Sequence, residues 1–249
     1  MKDLRGWLVV AAMTILTAAA CSADAPGTDD ETDAFPPAIS PYEPAIDPAD
    51  FVDVIDNLYL PLEPGTTFVY EGISDGEKET DTVLVTHKTK EILGVTCTVV
   101  KDVVRVDGQI TEKTFDWYAQ DRFGNVWYFG ENSHEYEDGR PVNAAGSWEA
   151  GVDGARPGIV MLGDPEVGDR YRQEFYAGEA EDFGEVLRLD ASVRVPFGDY
   201  EEVLVTADST PLEPEVLEHK FYAPGIGLVM EKKVRGGTEG FRLITIERQ

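Results

Sequence analysis

The chain predicts a mainly β, single-domain protein. Its expected form is a curved antiparallel β-meander, either a half-barrel or a two-layer sheet, with one short N-terminal helix. Three observations predict this. From Thr66 onward apolar and polar residues alternate with period two, almost without relief. Turn signals such as Asp107-Gly108 and Asp138-Gly139 punctuate the alternation at short intervals. No 20-to-50-residue period repeats, which disfavours a propeller or a solenoid.

The first elements lie outside the β region. Lys2 and Arg5 precede an apolar run from Trp7 to Ala20. A basic start, a short apolar middle and small residues before a cut site make a secretory signal over residues 1–20. The run is short for a membrane span, which needs about 20 apolar residues. The stretch Leu16-Thr17-Ala18-Ala19-Ala20-Cys21 resembles a bacterial lipoprotein signal, with Ala18 standing where that family prefers leucine. The resemblance implies that Cys21 is lipidated and becomes the mature N-terminus, anchoring the chain to a membrane. Plain secretion with an incidental cysteine is the alternative.

Residues 21–50 read as an extended tether. They hold Pro26, Pro36, Pro37, Pro41, Pro44 and Pro48 and the acidic run Asp29-Asp30-Glu31. Prolines at this density block helix and ladder pairing, and like charges repel. Asp47-Pro48 followed by Ala49 to Ile55 then reads as a short helix: Asp47 caps, Pro48 suits the first helical position, and Phe51, Val54 and Ile55 share a face. Pro61, Pro64 and Gly65 end it, and the folded domain is expected to run over 51–249.

About ten to twelve strands are expected in the meander. The clearest places Leu187, Leu189, Ala191, Val193 and Val195 on a core face, with Arg188, Asp190, Ser192 and Arg194 facing water. Phe115, Trp117 and Ala119 alternate in the same manner with Asp116, Tyr118 and Gln120. The second set is therefore expected to face solvent. Gly178–Gly184 interrupts the pattern and reads as a bulge or loop, with a short helix as the alternative. A sheet this long curls or folds because strands twist.

Charge and chemistry narrow the function classes. The net charge is -27 over 249 residues; residues 1–20 carry a net +1, which leaves -28 without them. That balance argues against nucleic acid as a partner and against adhesion to anionic lipid through the protein surface. Solubility is the simplest role for so much acid. With Cys21 committed to lipid, Cys97 is alone, and its place between Val95 and Val99 on one face reads as a buried, inert thiol. His87, His134 and His219 are scattered, no Asp-x-Asp-x-Asp-Gly loop is present, and no metal or cofactor is expected. No nucleophile elbow or Ser-x-x-Lys occurs, and carboxylates are too abundant for one acid/base pair to be singled out, so no catalytic residue is assigned.

Aromatic residues are the enrichment with a shape. In Val126-Trp127-Tyr128-Phe129 both strand faces are apolar, which calls for either a covering layer or a ligand surface. Trp148 lies between Gly146 and Gly151 on an expected loop. Trp117, Trp127, Tyr128 and Trp148 are therefore the candidate ligand-binding residues, with core packing as the competing account. The expected function is a non-catalytic binding module of the cell envelope, with a hydrophobic or aromatic groove for a lipid, glycan or peptide. The rival is a structural or assembly partner of an envelope protein, and a hydrolase stands third.

Four segments carry a further resemblance: Ile55–Leu62, Asp116–Asp121, Gly124–Gly130 and Phe221–Val229. Together they resemble a group of uncharacterised bacterial secreted proteins and lipoproteins. The last segment is looser kin to curved-sheet periplasmic proteins akin to lipoprotein carriers. The resemblance implies an architecture, a curved sheet outside the cytoplasm, and no reaction or site residue.

Overall fold

The structure is a computed structural model and describes residues 42–74 and 76–249. The expected signal peptide, Cys21 and the tether as far as Pro41 lie outside the described residues. Six strands open the chain: β1 (Phe51–Val52), β2 (Thr66–Ser74), β3 (Glu77–Ile92), β4 (Val95–Val106), β5 (Gln109–Asp121) and β6 (Val126–Glu137). Five short ones follow: β7 (Arg140–Asn143), β8 (Trp148–Glu149), β9 (Arg156–Met161), β10 (Arg170–Arg172) and β11 (Glu174–Phe175). The chain ends in β12 (Phe183–Val195), β13 (Gly198–Ser209), β14 (Leu217–Ala223), β15 (Gly227–Arg235) and β16 (Gly240–Arg248).

All sixteen belong to one antiparallel sheet, of order β10-β12-β13-β14-β15-β16-β2-β3-β4-β5-β6-β9-β11, with β1 beside β5 and with β7 and β8 beside β6. The count exceeds the expected ten to twelve because the chain makes five short strands between β6 and β12. Those short strands close the fold. β10 and β11 are separated by Gln173 alone, yet they stand at opposite ends of the strand order. One continuous stretch of backbone thus bridges the first and last strands, and the sheet is a nearly closed barrel. Gly158 permits the crossing, because any side chain there would collide with the backbone of Arg172 and Gln173. Closure removes the exposed edges that a long open sheet would present.

Local patterns explain most elements. Asp107 and Asp138 adopt positive φ ahead of Gly108 and Gly139, the backbone of a tight hairpin turn. In β12 the odd-numbered apolar set from Leu187 to Val195 is shielded, while Arg188, Asp190, Ser192 and Arg194 are exposed. In Gly178–Gly184 the chain makes a turn closed by the Tyr176–Ala180 bridge and a short loop, and β12 already begins at Phe183; there is no helix.

Two expectations change. The N-terminal helix is a single 3-10 turn, Pro48–Asp50, capped by the Asp47 carboxylate on the Ala49 N–H. The chain then extends, because Phe51 finds a better place beside β5, with its ring edge-on to Trp127 and Phe129. The second change concerns β5. Asp116, Tyr118 and Gln120 do not face solvent: they are buried, as are Trp117 and Ala119 on the other face. The strand is covered on both sides, which alternation alone does not reveal.

Candidate functional site

The barrel interior has two halves, and register defines them. Opposed residues of an antiparallel pair share a face. On β3 the inward series runs Glu79, Asp81, Val83, Val85, all buried. Val83 is opposite Asp102 and Val85 opposite Val100 on β4; those in turn are opposite Thr114 and Asp116 on β5. Asp116 is opposite Glu131 on β6, and Tyr118 opposite Tyr128. On the other wall Leu204 pairs with Tyr222, Thr206 with Lys220 and Asp208 with Glu218, and Lys220 faces Glu231. Along these strands the inward side chains change from apolar to polar and mostly acidic, with the change point stepping from one strand to the next. The barrel is apolar towards one end and lined with carboxylates towards the other.

The apolar half holds a cavity of about 740 Å³, its open mouth included. Phe68, Tyr70, Val83, Val100, Tyr118, Tyr222 and Leu228 form its wall, with Val160 from β9. Leu60, Pro61 and Leu62 close over it from the segment that precedes β2. Lys220 is the single charged side chain in the lining, joined by the amide of Gln173.

The covering segment is pinned by polar contacts. The Gln120 side-chain oxygen accepts from the backbone N–H of Asp56 and Asn57, both at 2.9 Å. The Asn57 amide donates to the carbonyls of Gly124 and Leu162 and accepts from Tyr59 and Leu60. Asp121 binds the Phe123 and Asn125 N–H groups, the Asn125 amide and the Trp127 indole. Gly225 donates to the Leu58 carbonyl at 2.7 Å. All four segments singled out from the sequence therefore meet at the cavity end of the barrel.

The acidic half is the feature sequence reasoning missed. Burial, reinforced by Asp102, holds the Asp116 carboxyl well above the usual carboxylate range. Burial together with neighbouring acids lifts Glu79 and Glu112 to about 8. Glu131 is raised by burial and then by Asp116 and Glu174. Lys220 is the counter-charge on the opposite wall. Burial works against its ammonium, but Asp208 at 2.9 Å and Glu231 at 3.8 Å outweigh that and keep it firmly protonated. The signal in the sequence was the placement of Asp102 and Asp116 beside apolar residues, Val103 and Val104 in one strand and Phe115 and Trp117 in the next. That signal is indistinguishable from a solvent face until the barrel closes.

The four aromatic candidates divide between the two faces. Tyr128 and Trp148 meet inside, edge to face at 5.4 Å between ring centres. Tyr128 donates to Asp116 at 2.9 Å, and the Trp148 indole donates to Glu174 at 3.1 Å. Trp117 lies on the opposite face of β5, with Lys90 Nζ 3.4 Å above its ring. Trp127, half-buried, packs on Phe51 on that same outer side. Trp148 stands in β8 and is 5% exposed, where a loop had been expected. Its flanking glycines do form turns, at positive φ, but Trp148 and Glu149 between them pair with Glu131 and Gly130. Gly130, also at positive φ, makes the pairing possible, since a side chain there would strike the Trp148 carbonyl.

Cys97 is fully buried between Val95 and Val99, and burial pushes its thiol up to about 12. Among the described residues no three His, Cys, Asp or Glu side chains converge as a metal site.

No protein-family model matches the chain, and no curated protein matches it. Two solved structures are similar. One is a Bacteroides fragilis protein described as exported and as having a YmcC-like fold. It is 13% identical, with a TM-score of 0.45, over 77% of this chain and 100% of that one. The other is described as a lipoprotein of Parabacteroides distasonis. It is 13% identical, with a TM-score of 0.43, over 77% of this chain and 99% of that one. At this level of likeness nothing about activity passes from those proteins to this one.

Proposed function

We propose that the protein is an exported, lipid-anchored and non-catalytic binding module that takes an apolar chain into the open end of its barrel. The observation that carries this reading is the cavity itself, an open-mouthed space walled by Phe68, Tyr70, Val83, Tyr118, Tyr222 and Leu228. Apolar walls favour an apolar ligand chain, whose burial contributes about 0.8 kcal/mol per methylene. A lipid fits this better than a glycan, whose hydroxyls would lack partners against such a wall. Export and anchorage rest on the signal at residues 1–20 and on Cys21, followed by the acidic, proline-rich tether to residue 50. The domain from residue 51 would then work at the surface of the membrane that holds it. In the same reading Tyr128 packs against Tyr118 of the wall, ring centres 5.0 Å apart, with Trp148 beyond it, while Trp117 and Trp127 brace the outside of the wall.

Two measurements test this. Native mass spectrometry of the protein taken from cells should show a co-purified lipid, lost in Val160→Phe, which fills the cavity. A co-purified protein and no lipid would instead support the assembly role. Metabolic labelling with a clickable fatty acid should mark the wild type and not Cys21→Ser; an unlabelled wild type would reduce anchorage to plain secretion.

A further inference from the structure

The cavity shows a ligand one charge, and that charge is positive. Lys220 is the single charged side chain of the lining, and the Gln173 amide is its neighbour there. Its depth follows from β14. Gly225, just beyond the strand, donates to the Leu58 carbonyl of the covering segment, at the mouth. Tyr222 and Lys220 face inward opposite Leu204 and Thr206, so Lys220 is one step deeper than Tyr222. The ammonium, on a residue 7% exposed, therefore stands at the inner end of the apolar wall.

Its partners do not exhaust it. An ammonium carries three N–H groups. Asp208 Oδ2 at 2.9 Å takes one, whereas Glu231 at 3.8 Å lies beyond hydrogen-bond reach. Asp208 in turn does not depend on Lys220 alone. Gln173 Nε2 donates to the same oxygen at 3.0 Å, and Thr206 Oγ1 donates to the other at 2.6 Å. Burial, then Glu218, holds the Glu231 carboxyl well above the usual carboxylate range, which makes it a weak rival for the positive charge. An anion that reached Lys220 would be attracted in a medium that screens little, and a charge-assisted hydrogen bond is roughly twice as strong as a neutral one. A cationic head would meet a like charge. A phosphate head, with three acceptor oxygens and up to about two charges, asks for more than one shared ammonium.

We propose that the cavity selects amphiphiles with a carboxylate head, that is, free fatty acids, which enter head first and share Lys220 with Asp208 while the chain runs back along Phe68 and Leu228. This rests on the cavity being the ligand site. The bound head stays ionised, because Lys220 supplies the opposite charge that an apolar wall lacks.

Calorimetric titration of the full chain with decanoate, decanol, decylamine and decyl phosphate, each below its micelle concentration and at neutral pH, tests the selection. Decanoate should bind at least about tenfold more tightly than decylamine, with decanol between them. The double variant Lys220→Met with Asp208→Asn removes the cation together with its partner, and should bring the decanoate-to-decylamine ratio below about threefold. A tenfold preference that survives in that variant would overturn the role of Lys220. If decylamine binds as tightly as decanoate in the wild type, charge selection is overturned and the apolar cavity stands. Tighter binding of decyl phosphate than of decanoate would overturn the choice of head. If none of the four binds, the cavity reading falls and takes the fatty-acid proposal with it. Should the double variant not fold, infrared spectra of carboxyl-13C decanoate on the wild type decide: an ionised head is expected, and a protonated one overturns the pairing with Lys220.

Discussion

Tyr128 donates its hydroxyl to Asp116 at 2.9 Å, and this bond lies where the apolar and acidic halves of the barrel meet. The ring of Tyr128 belongs to one half and its hydroxyl to the other. Both residues are buried, so the bond anchors a polar layer that water does not reach.

Removing that hydroxyl should be felt. Tyr128→Phe keeps the ring packed on Trp148 but leaves the Asp116 oxygen without its donor. An unsatisfied buried group of this kind costs about 1–3 kcal/mol. Urea denaturation should show the loss with an unchanged slope, and a loss below about 0.5 kcal/mol would mean that water replaces the hydroxyl.

Stability should fall as pH rises from about 5 to about 8. Glu79 and Glu112 titrate at about 8 in the folded protein, raised by burial and by acidic neighbours, against the ordinary 4.5 of an exposed glutamate. Between those values the folded chain binds more protons than the unfolded one, so each unit of pH lowers the unfolding free energy. The contribution is fully present below about 4.5 and gone above about 8. Glu112→Gln should flatten the slope and raise the melting temperature at pH 8. A pH-independent melting curve would show that these acids ionise freely in the fold.

Lys220 should be indispensable while its neighbours stay acidic. Lys220→Met leaves Asp208 and Glu231 buried without a cation, and breaking a buried pair in this way costs about 3–5 kcal/mol. The double variant Lys220→Met with Asp208→Asn should recover part of that loss. Equal stability of the single and double variants would place the cost in packing and not in charge.

Cys97 should resist thiol reagents in the native protein. Its thiol is fully buried and titrates at about 12. Reaction with an aromatic disulfide should appear only in denaturant, and rapid native labelling would mean that β4 opens locally.

What could be read before folding follows from the period of the strands. Alternation between Leu187 and Val195, and turn pairs such as Asp107-Gly108, are local facts and give the antiparallel meander directly. Cys97 was legible for the same reason, since its two valine neighbours state which way it points. The site was not. Asp116 and Tyr118 alternate with Phe115 and Trp117, and either set could have been the inner one. Trp148 between glycines looked like a loop residue because its partner strand, β6, offers Gly130 only in three dimensions.

The sequence by itself determined the all-β class and the hairpin order, because each is encoded within a few consecutive residues. Only the tertiary structure decided that the sheet closes, since closure depends on β10 and β11 reaching strands distant from each other in sequence. Closure in turn decided what the acids mean. A carboxylate on an open sheet is a solvated charge, whereas the same carboxylate inside a barrel loses its water and must keep a proton or find a cation.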